Sequence, residues 1–449
     1  MADGNQETAV GRRQFAKLSA SALGLSAFGS SVVAAESTER FIVKRRGKKS
    51  LDAEVLYDLP EIGYAVVRGS EAELERSKAV KSFAPDIELA FPDPAKETEL
   101  TASEAVDDSY YGYQWDKQEL DVPTAHETTK GEGTRVAIID SGVDASHPDL
   151  DVNLDRSQDF TGDGLGAGVP GGGDHGTHVA GIVGASVEGS TGVAGTAPET
   201  ELVDYRVFSE FVDAGGAFSI VVAAVLAAVR NDCDVANLSL GAYPIPRQGF
   251  GSFYGGVLNK TMNYARKEGT LVVASAGNNA ADLQHDGSVI SIPNETAGAM
   301  SVAATGPIGF AETLFGGSPS EPAETPAVYT NYGTNAVDLA APGGNYDATM
   351  TDPVRGLPAY VYDLVFSTVT TVLTDDDGNY VGSEPAYGWK AGTSMAAPNV
   401  AGAAALVKSA NPDYNANQLR SALEGAAEVP DGEDKAYYGA GYLNVVDAL

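Results

Sequence analysis

A single cysteine, Cys233, stands in 449 residues, so no internal disulfide framework and no multi-cysteine zinc site can form. Five histidines leave little for a histidine-rich metal centre. Beyond the amino-terminal region no uninterrupted apolar run reaches the roughly 18 to 20 residues that cross a bilayer. Basic residues are scarce: 29 Lys and Arg against 62 Asp and Glu give a formal charge of −33. A field of that sign repels phosphate, which excludes nucleic acid and an anionic membrane surface as partners. What is present is a hydrophobic fraction of 43%, enough for a sizeable core. The length suits one large domain and a smaller unit.

The negative charge is uneven. Residues 1–106 carry 14 basic and 17 acidic side chains, a balance of −3, whereas residues 107–449 carry 15 and 45, a balance of −30. Self-repulsion of that size destabilises a compact state at low salt. At about 1 M salt the screening length falls to about 3 Å and most of the repulsion is gone. The composition points to a salt-adapted protein kept soluble in brine by a solvated carboxylate surface.

The first 35 residues read as an address. Arg12-Arg13-Gln14-Phe15 precedes a Ser/Ala/Gly-rich stretch from Leu18 to Ala34, closed by the small residues Val33-Ala34-Ala35. The stretch is too short and too weakly apolar for a transmembrane helix. The pattern fits a twin-arginine export signal over residues 1–35, cleaved near Ala35, and implies secretion to the extracellular side.

Residues 36–106 form a second unit of α+β character. Phe41-Ile42-Val43 and Tyr64-Ala65-Val66-Val67 read as strands. Ser70-Glu71-Ala72-Glu73 has capping-box spacing and opens a helix expected to run to Lys81. Ile87 to Phe91 reads as a closing strand. Pro92, Pro94 and the polar run Lys96 to Glu104 read as an exposed linker.

From residue 107 onward, apolar strand-like runs alternate with Ala-rich helical ones. Strands are expected over Val136–Ile139, Glu201–Val207, Val235–Leu240, Leu271–Ser275 and Met300–Ala304. Helices are expected over Thr177–Gly184, Ile220–Asn231, Phe253–Glu268 and Ser394–Ser409. This alternation, with strands apolar on both faces, predicts an α/β fold: a parallel sheet covered by helices. Gly306–Val328 and Gly343–Tyr387 break the rhythm and read as surface insertions.

Three short segments carry chemistry when taken together. Val136-Ala137-Ile138-Ile139-Asp140-Ser141-Gly142 sets a carboxylate at the carboxyl end of a strand, the edge where open α/β sheets bind ligands. His175-Gly176-Thr177-His178 sets His175 at the start of a helix. Gly392-Thr393-Ser394-Met395-Ala396-Ala397-Pro398 sets Ser394 at the mouth of another, where free N–H groups gather. A serine hydroxyl becomes nucleophilic when a base takes its proton, and the base needs a carboxylate to fix its tautomer and stabilise its charge.

These segments, in the order Asp, His, Ser, resemble the subtilisin-like serine proteases over about Tyr110 to Leu449, most nearly the haloarchaeal halolysin type. That order is the one known for subtilisin itself. The resemblance implies a subtilisin-like parallel sheet with helices on both faces, preceded by a propeptide domain at 36–106 and followed by a peptidase domain at 107–449. It assigns Asp140 to orient the imidazole, His175 to act as general base and then acid, and Ser394 to act as nucleophile. Leu271-Val272-Val273-Ala274-Ser275-Ala276-Gly277-Asn278 resembles the turn leading to the family's oxyanion-hole asparagine, here Asn278. Ser239-Leu240-Gly241 and Ser275-Ala276-Gly277 resemble the walls of the substrate cleft, where an extended polypeptide is bound as an added strand.

The same resemblance implies further properties. The enzyme would act as a monomer without a catalytic cofactor, with its own propeptide as intramolecular inhibitor, cut away between about Thr101 and Tyr110. Structural calcium would be held by Asp149 and Asp108, with the loop Ser186–Val193 offering Glu188 but lacking the family's asparagine pattern. Asn399 stands where the motif after the nucleophile commonly has histidine. The expected function is a secreted, salt-requiring serine endopeptidase; the alternative is a catalytically silent domain that binds peptides or matures one partner. Other residues have plainer readings. His178 is a packed histidine with no Glu or Cys to complete a metal site, Cys233 is an inert buried thiol, and Asp375-Asp376-Asp377-Gly378 is a solvated hairpin tip.

Overall fold

Strands apolar on both faces demand cover on both sides, and the structure, a computed structural model, supplies it. It describes residues 39–47, 49–87, 95–100, 110–186, 192–211, 216–248 and 250–449. The export signal and Asp108 lie outside the described residues. So do Glu188, nearly all of the region expected to be cut, and most of the closing strand expected at Ile87–Phe91.

The amino-terminal unit is a four-stranded antiparallel sheet of β1 (Arg40–Arg45), β2 (Glu54–Leu59), β3 (Tyr64–Arg68) and β4 (Val80–Pro85), in the order β2-β3-β1-β4. The capping box exists: Ser70 Oγ accepts from Glu73 N, and Glu73 Oε2 accepts from Ser70 N. The helix, however, is Glu71–Arg76 and not the longer one expected, because Val80–Pro85 is taken by β1 as its partner strand. One face of this sheet is closed by that helix through Leu74. The other, with Ile42, Tyr64 and Val66, joins the core around two helices of the large domain, Phe218–Arg230 and Phe250–Glu268.

β5 (Lys96–Leu100) corrects the linker expected there: polar as it is, it is the third strand of another sheet. The large domain is built on β6 (Arg135–Asp140), β7 (Gln158–Asp159), β8 (Glu201–Arg206), β9 (Val235–Leu238), β11 (Leu271–Ser275), β13 (Ala299–Thr305) and β14 (Leu339–Pro342). All pair in parallel, in the order β14-β13-β11-β9-β6-β8-β7. A two-stranded ribbon, β10 (Ala242–Pro246) with β12 (Val289–Ile292), stands beside it. Alternation along the strands divides the core. Val136, Ile138, Leu271 and Val273 face the helices His175–Gly184 and Thr393–Ala410, while Ala137, Ile139, Val272 and Ala274 face Phe218–Arg230 and Phe250–Glu268. β9 stops at Leu238, two residues earlier than expected, and frees Ser239-Leu240-Gly241 at the sheet's edge.

The segment Gly343–Tyr387 is not the surface insertion expected. After a two-residue pair, β15 (Pro353–Val354) and β16 (Leu357–Pro358), it enters a long hairpin, β17 (Val365–Thr374) and β18 (Tyr380–Ala391), with β5 on the β18 edge. Residues 365–370 are buried on both faces because they lie on the His175 helix. There Ser367 Oγ donates to His178 O at 3.0 Å and Thr368 Oγ1 to Thr177 O at 2.7 Å. The Gly306–Val328 segment is part surface, with Phe315 and Val328 exposed, and part core through Ala311 and Ala327.

Candidate active site

Asp140 ends β6 and is fully buried. Its Oδ1 accepts from Ser141 N at 2.7 Å and bonds His175 Nδ1 at 2.9 Å. That contact makes Nδ1 the protonated nitrogen and leaves Nε2 as the basic one. Oδ2 of Asp140 is buried without a hydrogen-bond partner among the described residues, so both donors meet on Oδ1. His175 opens its helix with only 5% exposure.

Ser394 is the second residue of the helix Thr393–Ala410 and is 1% exposed. Pro398, four residues on, has no N–H to give the Ser394 carbonyl. Ser239 Oγ fills that place, donating to Ser394 O at 2.7 Å, and Ser394 Oγ in turn donates to Ser239 O at 3.3 Å. The His175 and Ser394 helices pack against each other.

Asn278 follows the strand β11, on a turn made possible by Gly277 at φ +101°. A Cβ there would also stand 2.4 Å from Asn331 Nδ2. Asn331 braces the turn: Nδ2 donates to Ala276 O at 2.8 Å, and Oδ1 accepts from Asn279 N and Ala281 N, each at 3.0 Å. The Asn278 amide is oriented by its oxygen, which accepts both Thr393 N–H and Thr393 Oγ1–H. Its Nδ2 is left to face the other way. A Cβ placed on Gly392 would lie 3.2 Å from Asn278 Nδ2 and 3.6 Å from Ser394 N, so this glycine keeps open the space beside both donors. Two nitrogen donors bordering one small space at a helix amino terminus suit a developing oxyanion.

The segments expected to line the cleft stand around this centre. Ser239 touches Ser394, Leu240 is buried, and Gly241 precedes β10. Ser275 and Ala276 are buried at the end of β11. His178 is fully buried with Nε2 3.2 Å from Val365 O. Burial, Lys390 and His175 hold it well below its usual range, which keeps it neutral and structural. Cys233 is buried, its thiol pushed up to about 12 by burial. Asp375 caps its own turn, accepting from Asp377 N and Asn379 N.

Asp149 is the described member of the expected calcium set. Its Oδ2 already accepts from Val193 N and Tyr387 Oη, each at 3.0 Å. Among the described residues no group of three His, Cys, Asp or Glu could hold a metal ion. Asp149 is thus one carboxylate with an oxygen already occupied, against the six to eight oxygens calcium takes, and the other carboxylates of the expected set, Asp108 and Glu188, lie outside the described residues.

Sequence reasoning missed Thr393, Asn331 and Lys390. Thr393 stood beside a quoted serine. Asn331 reaches the site only through tertiary folding, and Lys390, four residues before Ser394, gains its partners Asp174 and Glu97 only there. Lys390, 4% exposed at its side chain, pairs with Asp174 at 3.0 Å and with Glu97 at 2.6 Å.

The model of the Subtilase family matches residues 131–441, which include every described residue of this centre except those of β5. The thermophilic serine proteinase of Bacillus sp. (strain AK1) is 33% identical over 344 residues, 76% of this chain and 68% of that protein. Subtilisin BL of Lederbergia lenta is 33% identical over 335 residues, 74% of this chain and 96% of that protein. Among solved structures, the epidermin leader peptide processing serine protease of Staphylococcus aureus aligns with a TM-score of 0.68 at 22% identity, over 91% of this chain and 97% of that one. At that identity the likeness is one of fold, and its span is too long to be confined to residues 110–449.

Proposed function

The chain belongs to the subtilase family and is a serine endopeptidase; from that premise we propose that it works through Asp140, His175, Ser394 and Asn278, outside the cell and in high salt. His175 Nε2 takes the Ser394 hydroxyl proton as Oγ attacks the carbonyl carbon of an internal peptide bond. The tetrahedral oxyanion is received by Asn278 Nδ2 and Ser394 N, which require no rearrangement when charge develops. Collapse breaks the C–N bond, the leaving amine takes the proton from His175, and an acyl-enzyme remains. Water, deprotonated by the same imidazole, reverses the steps and frees the acid. Asp140 holds the tautomer and stabilises the imidazolium. These steps use the chain's own side chains, one backbone N–H and water.

The observation that carries this reading is the 2.9 Å bond between Asp140 and His175, on the same sheet edge as the paired donors beside Gly392. Ser239-Leu240-Gly241 and Ser275-Ala276-Gly277 would flank an extended polypeptide. The unit from Glu39 to Ile87 is read as the propeptide. In support, Asp86 accepts from Ser219 N at the amino terminus of helix Phe218–Arg230, and Ile87 O accepts from Phe218 N at 2.8 Å. Export by the twin-arginine signal at residues 1–35 would deliver a protein folded in salt. Among the described residues no helix is long and apolar enough to cross a membrane.

Ser394→Ala tests the reading. In high salt the parent chain is expected to release its amino-terminal unit and digest denatured protein, and the variant to do neither. Identical processing of both would refute it. Dilution below about 1 M salt is expected to lose both ellipticity and activity, because carboxylate repulsion is then poorly screened.

A further inference from the structure

A segment of the chain already lies as a strand beside Ser394. β5 pairs antiparallel with the end of β18, Lys96 opposite Ala391, Glu97 opposite Lys390 and Thr98 opposite Trp389. Gly392, Thr393 and Ser394 follow Ala391 directly. The register fixes a direction: Lys96 lies nearest the serine and Leu100 furthest, so the segment runs away from it. In a polypeptide being cut, that is the half on the carboxyl side of the broken bond, which leaves as the amine.

The start of the segment is held at each polar group. Ala95 N–H donates to Ala391 O at 2.7 Å, and the Tyr346 hydroxyl donates to Ala95 O at 3.3 Å. The Lys96 ammonium lies 5.3 Å from the Tyr360 ring centroid. Glu97 Oε2 is 2.6 Å from Lys390 Nζ, whose other carboxylate, Asp174 Oδ2, is 3.0 Å away and immediately precedes His175 in the chain. The lysine side chain is 4% exposed and the glutamate 55%, so the fixed partner is on the wall and the exposed one on the strand. A buried ammonium needs compensating charge. Asp174 supplies part of it permanently, and a strand lying on β18 supplies the rest only if it carries an acid at this place.

We propose that Lys390 determines specificity for the leaving half of a polypeptide substrate by selecting an acidic side chain at the place of Glu97, and that in the precursor it seats Ala95–Leu100 so that the first self-cleavage falls on the amino side of Lys96. The inference rests on the endopeptidase reading of Ser394. It puts the first cut earlier than the Thr101–Tyr110 region that the family resemblance implies.

Two measurements test it in high salt. The first follows the precursor during maturation by mass spectrometry and reads the earliest new amino terminus, with Ser394→Ala as control. A terminus at or before Lys96 is expected; a first cut within 101–110 overturns the inference. Processing that persists in Ser394→Ala refutes the endopeptidase reading instead. The second gives the mature enzyme internally quenched peptides that differ only in Glu, Gln or Lys at the Glu97 place. The glutamate peptide is expected to exceed the lysine peptide about fivefold in kcat/KM, given that one partner is half exposed. In Lys390→Met the ratio is expected to collapse toward one. Equal rates with the parent enzyme overturn the inference whether or not that variant folds.

Discussion

Thr393 gives both of its donors, the backbone N–H and the hydroxyl, to the side-chain oxygen of Asn278, each at 2.9 Å. Its hydroxyl oxygen also accepts Gly277 N at 2.9 Å. A chain of three groups therefore fixes which end of the Asn278 amide faces the space beside Ser394 N. Thr393→Val keeps the shape and removes the hydroxyl. With one hydrogen bond contributing about 1 kcal/mol, kcat is expected to fall about fivefold to tenfold with KM little changed. Thr393→Ser is expected to recover most of that. Asn278→Ala removes the donor itself and is expected to cost about 10²–10³ in kcat, a magnitude known from subtilisin and not obtained from this chain. Steady-state kinetics on one peptide separates the three; a Thr393→Val enzyme with parental kcat would show that the amide needs no such anchor.

Asp204, on β8, is fully buried, and burial pushes its carboxyl up to about 7 although Gly168 N donates to it at 2.7 Å. A folded-state value raised above the unfolded one means that the native protein binds the extra proton. The stability this gives is complete below about pH 4 and is lost as pH rises toward 7. Asp204→Asn removes the dependence. Relative to its parent, the variant is expected to gain stability on going from pH 5 to 8, by at most roughly 3 kcal/mol. Denaturant unfolding at both pH values checks it, in the Ser394→Ala background so that self-digestion does not interfere. No gain on going from pH 5 to 8 would mean that Asp204 is ionised throughout.

The parts legible in the sequence are those whose signal is local. Asp140, His175, Ser394 and Asn278 each sit in a short run whose apolar strand or small-residue helix announces its own geometry. The alternation of Val136 and Ile138 with Ala137 and Ile139 likewise foretold a sheet covered on both faces. What escaped was set by distant partners. Lys96–Leu100 has the composition of a linker and becomes a strand because β18, almost 300 residues later, offers a free edge. Val365–Thr370 looked like an insertion because nothing nearby reveals that the His175 helix covers it. The helix from Glu71 stopped early for the same reason: β1 claims the residues that local propensity gave to the helix.

Asn399, the departure from the motif, has its explanation in a buried lysine. Lys117 Nζ is 2.5 Å from Asn399 Oδ1, 2.8 Å from Thr196 Oγ1 and 3.1 Å from Ile182 O, and it pairs with Asp116 at 3.2 Å. Both charged side chains are wholly buried. Burial lowers the lysine's affinity for its proton and Asp116 restores part of it. The network joins the Ser394 helix through Asn399 to the His175 helix through Ile182, and Asn399 Nδ2 extends it to Pro342 O on β14 at 3.1 Å. A histidine at 399 would offer the ammonium a second nitrogenous group in place of an amide oxygen. Lys117→Met leaves Asp116 buried and uncompensated, and is expected to destabilise by about 3–5 kcal/mol. Asp116→Leu combined with Lys117→Met removes both charges and is expected to recover much of that loss, since the cost lies in the orphaned charge more than in the missing pair. Unfolding midpoints in high salt, in the Ser394→Ala background, distinguish the two. A Lys117→Met protein as stable as its parent would mean that the lysine contributes no net stabilisation where the two helices meet.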